Sequence, residues 1–139
     1  MKARGAKKVM VFGVFDRLHP GHLSFLKQAA QYGDELIVVV ARDSSVKKLK
    51  NKIPVHNEKE RLLMIKKEPL VHLAVLGDSR LGSYDVIKKY KPDLICLGYD
   101  QKYLEKDLKQ RMEEKKIPLV SLIVLDSYEP DRFHTKLLT

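Results

Sequence analysis

The stretch VMVFGVFDRLHPGH, residues 9–22, decides the fold of this chain. Its first four residues are apolar and favour extended backbone, which predicts a short buried strand. Gly13 then permits a tight backbone path. Pro20 suits the first turn of a helix because its φ is preset and it has no N–H to leave unpaired. A strand, a glycine turn and a helix are therefore expected in direct succession.

Two histidines stand where this helix is expected to begin. His19 and His22 are three residues apart, so their imidazoles lie on one face of the first turn. Unpaired N–H groups and the positive end of the helix dipole favour an anion there. Gly21 has no Cβ and lets a phosphate approach the backbone. The pattern favours a polyphosphate site over two capping or surface histidines at an ordinary turn between a strand and a helix.

A zinc site is not favoured by this spacing. The metalloprotease motif places its histidines four residues apart with a glutamate between them, and this chain has neither feature. Cys96 is the only cysteine, which excludes a cysteine-rich metal site and an internal disulfide.

The composition indicates one globular domain. The chain has 139 residues, 44% of them hydrophobic, with a formal net charge of +9. That charge favours polyanionic partners. No apolar run is long enough to cross a membrane, and the first residues lack the apolar stretch of a secretory signal. We expect a cytoplasmic protein with no membrane partner, a basic extension over residues 1–7 and a tail over residues 126–139 that belongs to the active site.

Strand and helix patterns alternate along the chain. Strands are predicted over residues 9–12, 35–41, 71–76, 94–97 and 119–125, and helices over 21–32, 57–67, 83–90 and 102–115. Residues 41–50 are interpreted as a basic loop, and Ser83 as the N-cap of the third helix. This alternation predicts an α/β, doubly wound fold with a five-stranded parallel sheet. Ligands bind such folds at the carboxyl ends of the strands.

Residues 13–22, GVFDRLHPGH, resemble the signature of the cytidylyltransferase-like nucleotidyltransferases, usually Gly-Thr-Phe-Asp-x-x-His-x-Gly-His. The resemblance implies a Rossmann-like fold and makes His19 and His22 catalytic. Val14 stands where the family usually has threonine, so it offers a phosphate only its backbone N–H. The residues that the resemblance assigns to nucleotide binding in this stretch are Gly13, Val14, Phe15, Asp16 and Gly21.

The resemblance also implies a substrate-binding role for basic residues after the second strand. Arg42 begins the basic segment, and Lys47 or Lys50 matches a lysine that contacts phosphates in the family. Arg61 lies in a segment like the family's Glu-Arg pair, whose arginine reaches toward the substrate. A solvent-facing segment for the lysines and a helix ion pair for Arg61 are the alternatives.

Two later motifs resemble those of archaeal FAD synthetases, a subgroup of the family. Gly98, Tyr99 and Asp100 follow the fourth strand, where Asp100 can bind Mg²⁺ or a ribose hydroxyl, although a plain turn also uses glycine and aspartate. Thr135 matches a nucleotide-binding position and Lys136 a catalytic one in the Ser-Thr-Lys motif of that subgroup. A disordered terminus is the alternative there.

The subgroup resemblance implies transfer of AMP from ATP to FMN, giving FAD and pyrophosphate. It also implies Mg²⁺ as cofactor and a homodimer, with no nucleic acid partner. The alternatives are a CTP-dependent cytidylyltransferase acting on glycerol 3-phosphate or a similar phospho-alcohol, and a non-catalytic basic module that binds nucleotide. The histidine pair favours an enzyme, because an electrostatic binder does not require it.

Overall fold

The computed structural model describes residues 7–51, 53–80 and 82–126. Its strands form a single parallel sheet, and the predicted doubly wound α/β fold is confirmed. The strands are β1 (Lys8–Gly13), β2 (Glu35–Val40), β3 (Leu73–Leu76), β4 (Leu94–Leu97) and β5 (Ser121–Val124). The helices are α1 (Pro20–Ala30), α2 (Asp43–Lys50), α3 (Glu58–Lys66), α4 (Asp85–Tyr90) and α5 (Lys102–Glu113).

Helices cover both faces of the sheet. Side chains alternate along a strand, so Val9 and Val11 of β1 enter one core, which also holds Leu26 of α1 and Ile65 of α3. Met10 enters the other core, which takes side chains from α4 and α5. We call these two layers the α1 side and the α4/α5 side.

The order of the strands is β3-β2-β1-β4-β5, so the direction of winding reverses at β1. The chain first adds β2 and β3 on one side of β1, then β4 and β5 on the other. Crossover connections leave in opposite directions from such a point, which opens a crevice beyond the carboxyl ends of the strands. The turns that follow β1 and β4 meet at this crevice.

Two local predictions are corrected by the structure. Residues 43–50 form helix α2 and not a loop, and the backbone N–H of Asp43, one of the unpaired groups of its first turn, donates to Glu58 Oε1 at 2.8 Å. Ser83 does not cap α4. The N-cap is Tyr84, which adopts the left-handed conformation at φ 51° and makes no side-chain capping bond.

The two ends of the chain are described only in part. The prediction of a basic extension falls largely outside the described residues, as does most of the predicted tail, including Thr135 and Lys136. Within the described residues, no helix has the length and apolar character needed to cross a membrane.

Candidate active site

The two histidines are held by the backbone of their own helix turn. His19 is the N-cap of α1, and its Nδ1 accepts a hydrogen bond from the Gly21 N–H at 3.1 Å. His22 Nδ1 accepts from the His19 N–H at 3.4 Å, which completes a reciprocal capping box. The rings stack with centroids 3.7 Å apart. Because each Nδ1 is an acceptor, each neutral ring carries its proton on Nε2, a donor for a ligand.

The surroundings of His22 keep it neutral. Burial lowers the pKa of His22 to about 4, and electrostatic interactions with His19 and Lys50 act in the same direction. Asp100 and Asp16 oppose them without reversing the shift. At neutral pH the ring is therefore uncharged and its Nε2–H is available to a phosphate oxygen.

Gly13 and Phe15 support this arrangement sterically. The Phe15 side chain is buried, and its ring meets that of His22 edge-on with centroids 5.4 Å apart. A Cβ built on Gly13 would lie 2.6 Å from Phe15 Cζ, closer than carbon atoms approach. Gly13 is therefore needed for the space that the Phe15 ring occupies, beyond the tight path predicted from the sequence.

Asp16 fastens the segment between α2 and α3 to the β1–α1 turn. Its carboxylate accepts from the Val55 N–H at 2.7 Å and from the His56 N–H at 3.0 Å. Burial raises the pKa of Asp16, but the hydrogen bonds from His56 and Val55 outweigh it and leave that pKa below its usual value. The residue lines the cleft, while its carboxylate oxygens hold protein backbone.

The structure separates the basic residues that were predicted to bind substrate. Arg42 lines the cleft and donates from Nε to the Gly77 carbonyl at 2.7 Å. Lys50 also lines the cleft, together with Lys48, which sequence reasoning missed. Lys47 lines a separate groove, together with Asp43, Ser44 and Asn57. Of the two alternative lysines, Lys50 is the one placed near the histidines.

Arg61 was predicted to reach toward the substrate, and the structure places it in the protein interior. Its side chain is 0% exposed and does not line the cleft. The guanidinium donates to the carbonyls of His56, Val14 and Ala41 and to Asp43 Oδ1, at 3.0, 2.9, 2.8 and 2.6 Å. These bonds join the β1–α1 turn, the start of α2 and the segment before α3, so Arg61 holds the walls of the cleft together from the protein interior.

The turn after β4 brings Gly98, Tyr99 and Asp100 to the same cleft. Gln101 fixes this turn: its Oε1 accepts from the Gly98 N–H and its Nε2 donates to the Phe12 carbonyl, both at 2.8 Å. Gln101 therefore ties the end of β4 to the end of β1. Sequence reasoning quoted this glutamine within the motif but gave it no role.

The cleft also extends to the α4/α5 side, where the sequence motifs predicted no site residues. Its total volume is about 1490 Å³. The Tyr84 hydroxyl donates to Asp107 Oδ2 at 2.5 Å, and its ring meets Phe12 edge-on with centroids 6.2 Å apart. Burial, together with the hydrogen bond to Asp107, raises the pKa of Tyr84 above its usual range. Val86 and Leu104 add apolar surface to this wall.

Comparisons with known proteins show the family to which this chain belongs. The family model described as Cytidylyltransferase-like matches residues 10–134. An FAD synthase from Aciduliprofundum boonei is 46% identical over 121 residues, which cover 87% of this chain and 79% of the relative. An FAD synthase from Thermococcus sibiricus is 37% identical over 124 residues, which cover 89% of this chain and 84% of the relative.

Solved structures show the same fold. The lipopolysaccharide core biosynthesis protein from Thermoplasma volcanium GSS1 has a TM-score of 0.81 at 40% identity, covering 90% of this chain and 100% of that one. A protein from Archaeoglobus fulgidus has a TM-score of 0.68 at 16% identity, covering 86% and 89%. At that lower identity, the likeness concerns the fold alone.

Proposed function

Because the chain belongs to the cytidylyltransferase-like family, we propose that this nucleotidyltransferase transfers AMP from ATP to FMN, giving FAD and pyrophosphate. The observation that carries the chemistry is the stacked pair His19 and His22, which line the cleft at a helix N-terminus and whose Nδ1 atoms accept backbone N–H groups, so that each Nε2 is left to meet a ligand. The choice of ATP and FMN is supported by the FAD synthases that resemble most of this chain.

The reaction requires positioning and charge stabilisation, not a covalent nucleophile. A phosphate oxygen of FMN attacks the α-phosphorus of ATP, and the bond from that phosphorus to the bridging oxygen of the β-phosphate breaks in line. His19 and His22 donate hydrogen bonds to phosphate oxygens as negative charge moves to the pyrophosphate. The N-terminus of α1, Lys48 and Lys50 add positive potential at the same wall.

Asp100 suits a magnesium ion that arrives with the nucleotide. Mg²⁺ is usually held by one or two carboxylates together with substrate phosphates and water. The described residues contain no cluster of three or more histidine, cysteine, aspartate or glutamate side chains that could hold a metal, so a cage made of protein alone is not available among them. When bound, the ion would neutralise phosphate charge, and Asp100, exposed at the cleft, is the carboxylate that we assign to it.

The α4/α5 side of the cleft supports a large aromatic acceptor. Phe12, Tyr84, Val86 and Leu104 provide a wall suited to a flat ring system, and a small phospho-alcohol would leave most of that wall in water. We therefore place the flavin ring of FMN on this side. The phosphate of FMN then points toward the histidines on the α1 side.

Purified protein tests this proposal directly. It is incubated with FMN and either MgATP or MgCTP, and with glycerol 3-phosphate and MgCTP, and the products are separated by chromatography. We expect FAD from FMN and MgATP alone. Product only in the glycerol 3-phosphate arm would make the protein a cytidylyltransferase, and no product in any arm would leave a nucleotide-binding module.

Three further expectations belong to this proposal and have their own measurements. Thr135 and Lys136, which lie outside the described residues, are proposed to bind the triphosphate, so Lys136→Ala should raise the KM for MgATP. A homodimer is expected in light scattering. Absence of nucleic acid binding is expected in a gel-shift assay at physiological salt.

A further inference from the structure

We propose that Arg61 is a positioning residue for nucleotidyl transfer, one that acts on ATP through the backbone of the β1–α1 turn and through helix α2. The inference rests on the proposed function for its kinetic consequences. Its structural consequences concern the shape and electrostatics of the phosphate-binding wall, and they hold for any nucleotide that binds there.

Arg61 joins three segments that converge on this wall. Its terminal nitrogen Nη1 donates to the Val14 carbonyl in the turn after β1 and to the Ala41 carbonyl after β2. Nε donates to the His56 carbonyl before α3, and Nη2 donates to the carboxylate of Asp43 at the start of α2. One side chain therefore sets the distances among these segments.

Only a guanidinium fits these partners. It is planar and presents donors in several fixed directions, whereas a lysine ammonium has one compact donor head on a flexible stem. The side chain is wholly buried, and its charge is compensated by Asp43, whose side chain is 41% exposed. An apolar replacement would leave the partly buried Val14 and Ala41 carbonyls without this donor, which costs free energy.

The brace reaches the histidines by two short routes. Val14 lies between Gly13 and Phe15, and the Phe15 ring contacts His22. Asp43 begins α2, whose Lys50 lines the cleft and lowers the pKa of His22. Loss of the brace is therefore expected to loosen the turn beneath the phosphates and to move a positive charge away from His22.

A matched set of helix α3 variants tests this role. Arg61→Lys keeps the positive charge and loses the planar set of donors, and Arg61→Met loses both. Lys66→Met removes one positive charge from an exposed position on the same helix. In Arg61→Lys we expect the KM for MgATP to rise about tenfold, with a smaller fall in kcat per folded molecule, because misplaced binding groups weaken alignment. Arg61→Met should change more, and Lys66→Met should match the wild type.

A second measurement does not depend on turnover. NMR titration of the His22 ring, identified by comparison with His22→Gln, should show its pKa moving from about 4 toward the ordinary value in Arg61→Lys. A purely structural role would lower the folded fraction and leave this pKa and the KM unchanged. If the wild type makes no FAD but the titration shifts, the proposed function fails and the positioning role stands.

Asp43→Asn covers the case in which the Arg61 variants do not fold. It neutralises one partner of the brace at a partly exposed position and should move the His22 pKa and the affinity for MgATP in the same direction by a smaller amount. The proposal would be overturned if folded Arg61→Lys had the same His22 pKa and the same affinity for MgATP as the wild type. If Arg61→Lys does not fold, the same result in Asp43→Asn would overturn it.

Discussion

The two sides of the cleft are built by different means. On the α1 side, backbone groups fix the site: the His19 and His22 rings accept backbone N–H groups, and Asp16 and Arg61 bind backbone amides and carbonyls. On the α4/α5 side, contacts between side chains contribute as well: the Tyr84 hydroxyl donates to Asp107, while the Val86 N–H donates to the Asp78 carboxylate. A wall held through the backbone suits phosphates, which all nucleotides share. A wall of side chains can be changed residue by residue, which suits the selection of an acceptor.

The largest effect expected on the α1 side comes from removing a histidine. His22→Ala should lower kcat about 10² to 10³-fold, because one preorganised donor to developing charge is lost. The KM for MgATP should change much less, since the helix N-terminus and the lysines still attract the phosphates. Steady-state FAD formation from FMN and MgATP measures both constants.

His19→Ala provides the comparison for this result. It removes a donor and also the N-cap of α1, so its kcat should fall by a similar factor and its melting temperature should fall as well. If either variant retained wild-type kcat, the histidine pair would have no role in the transition state, and the difference drawn between the two walls would fail on the α1 side.

The second prediction for the α1 side is a substitution at Gly13. Gly13→Ala would bring a Cβ to within 2.6 Å of the Phe15 ring, which has to move and displace His22. We expect a stability loss of about 1–3 kcal/mol from overpacking, and a fall in kcat of about tenfold or more from the displaced ring. Urea unfolding and the FAD assay measure the two effects.

Gly33→Ala is the matched control for this substitution. Its Cβ would lie 2.6 Å from Val9 Cγ2 near the start of β1, away from the cleft, so it should lose stability with kcat per folded molecule unchanged. Equal losses of kcat in the two alanine variants would show that the space at Gly13 serves stability alone.

The α1 side is also the part that the sequence predicted better. The apolar alternation and the residues 13–22 are local patterns, so they predicted the sheet, the turn and the histidine pair. The burial of Arg61 was not predicted because it depends on the Val14 and Ala41 carbonyls of two distant segments, which no spacing on α3 reveals. Helix α2 was missed because its first N–H, that of Asp43, is bound by Glu58, a residue of the next helix. Tyr84 and Asp107 meet only after folding and carry no local pattern.

The lowered pKa of His22 on the α1 side makes the free energy of unfolding depend on pH. The unfolded chain binds a proton on this ring below pH 6.5, while the folded protein resists protonation until about pH 4. Between those values the unfolded state holds more protons, so the free energy of unfolding falls as the pH falls. Because the ring is only partly buried and solvent screens it, we expect about 1 kcal/mol between pH 7 and pH 5.

Urea unfolding at pH 7 and pH 5 measures this difference. His22→Gln is the reference, because a glutamine at this position of a capping box can still accept the backbone N–H of His19 and does not titrate. The wild type should lose more stability than the variant on acidification. Equal losses would mean that the His22 ring is charged in the folded protein at pH 5.

The smallest effect is expected on the α4/α5 side, from Tyr84→Phe. The variant keeps the ring against Phe12 and loses the hydroxyl that donates to Asp107, while Asp107 keeps its ion pair with Arg111. One lost hydrogen bond is worth about 1 kcal/mol, or roughly fivefold in a binding constant. The bond joins two protein groups, so this factor is an upper limit for binding. If this wall selects the acceptor, the KM for FMN should rise by up to that factor while the KM for MgATP stays constant. Tyr90→Phe, on the same helix but outside the cleft lining, controls for loss of a hydroxyl. A rise in the KM for MgATP alone would place the nucleotide, and not the flavin, on this wall.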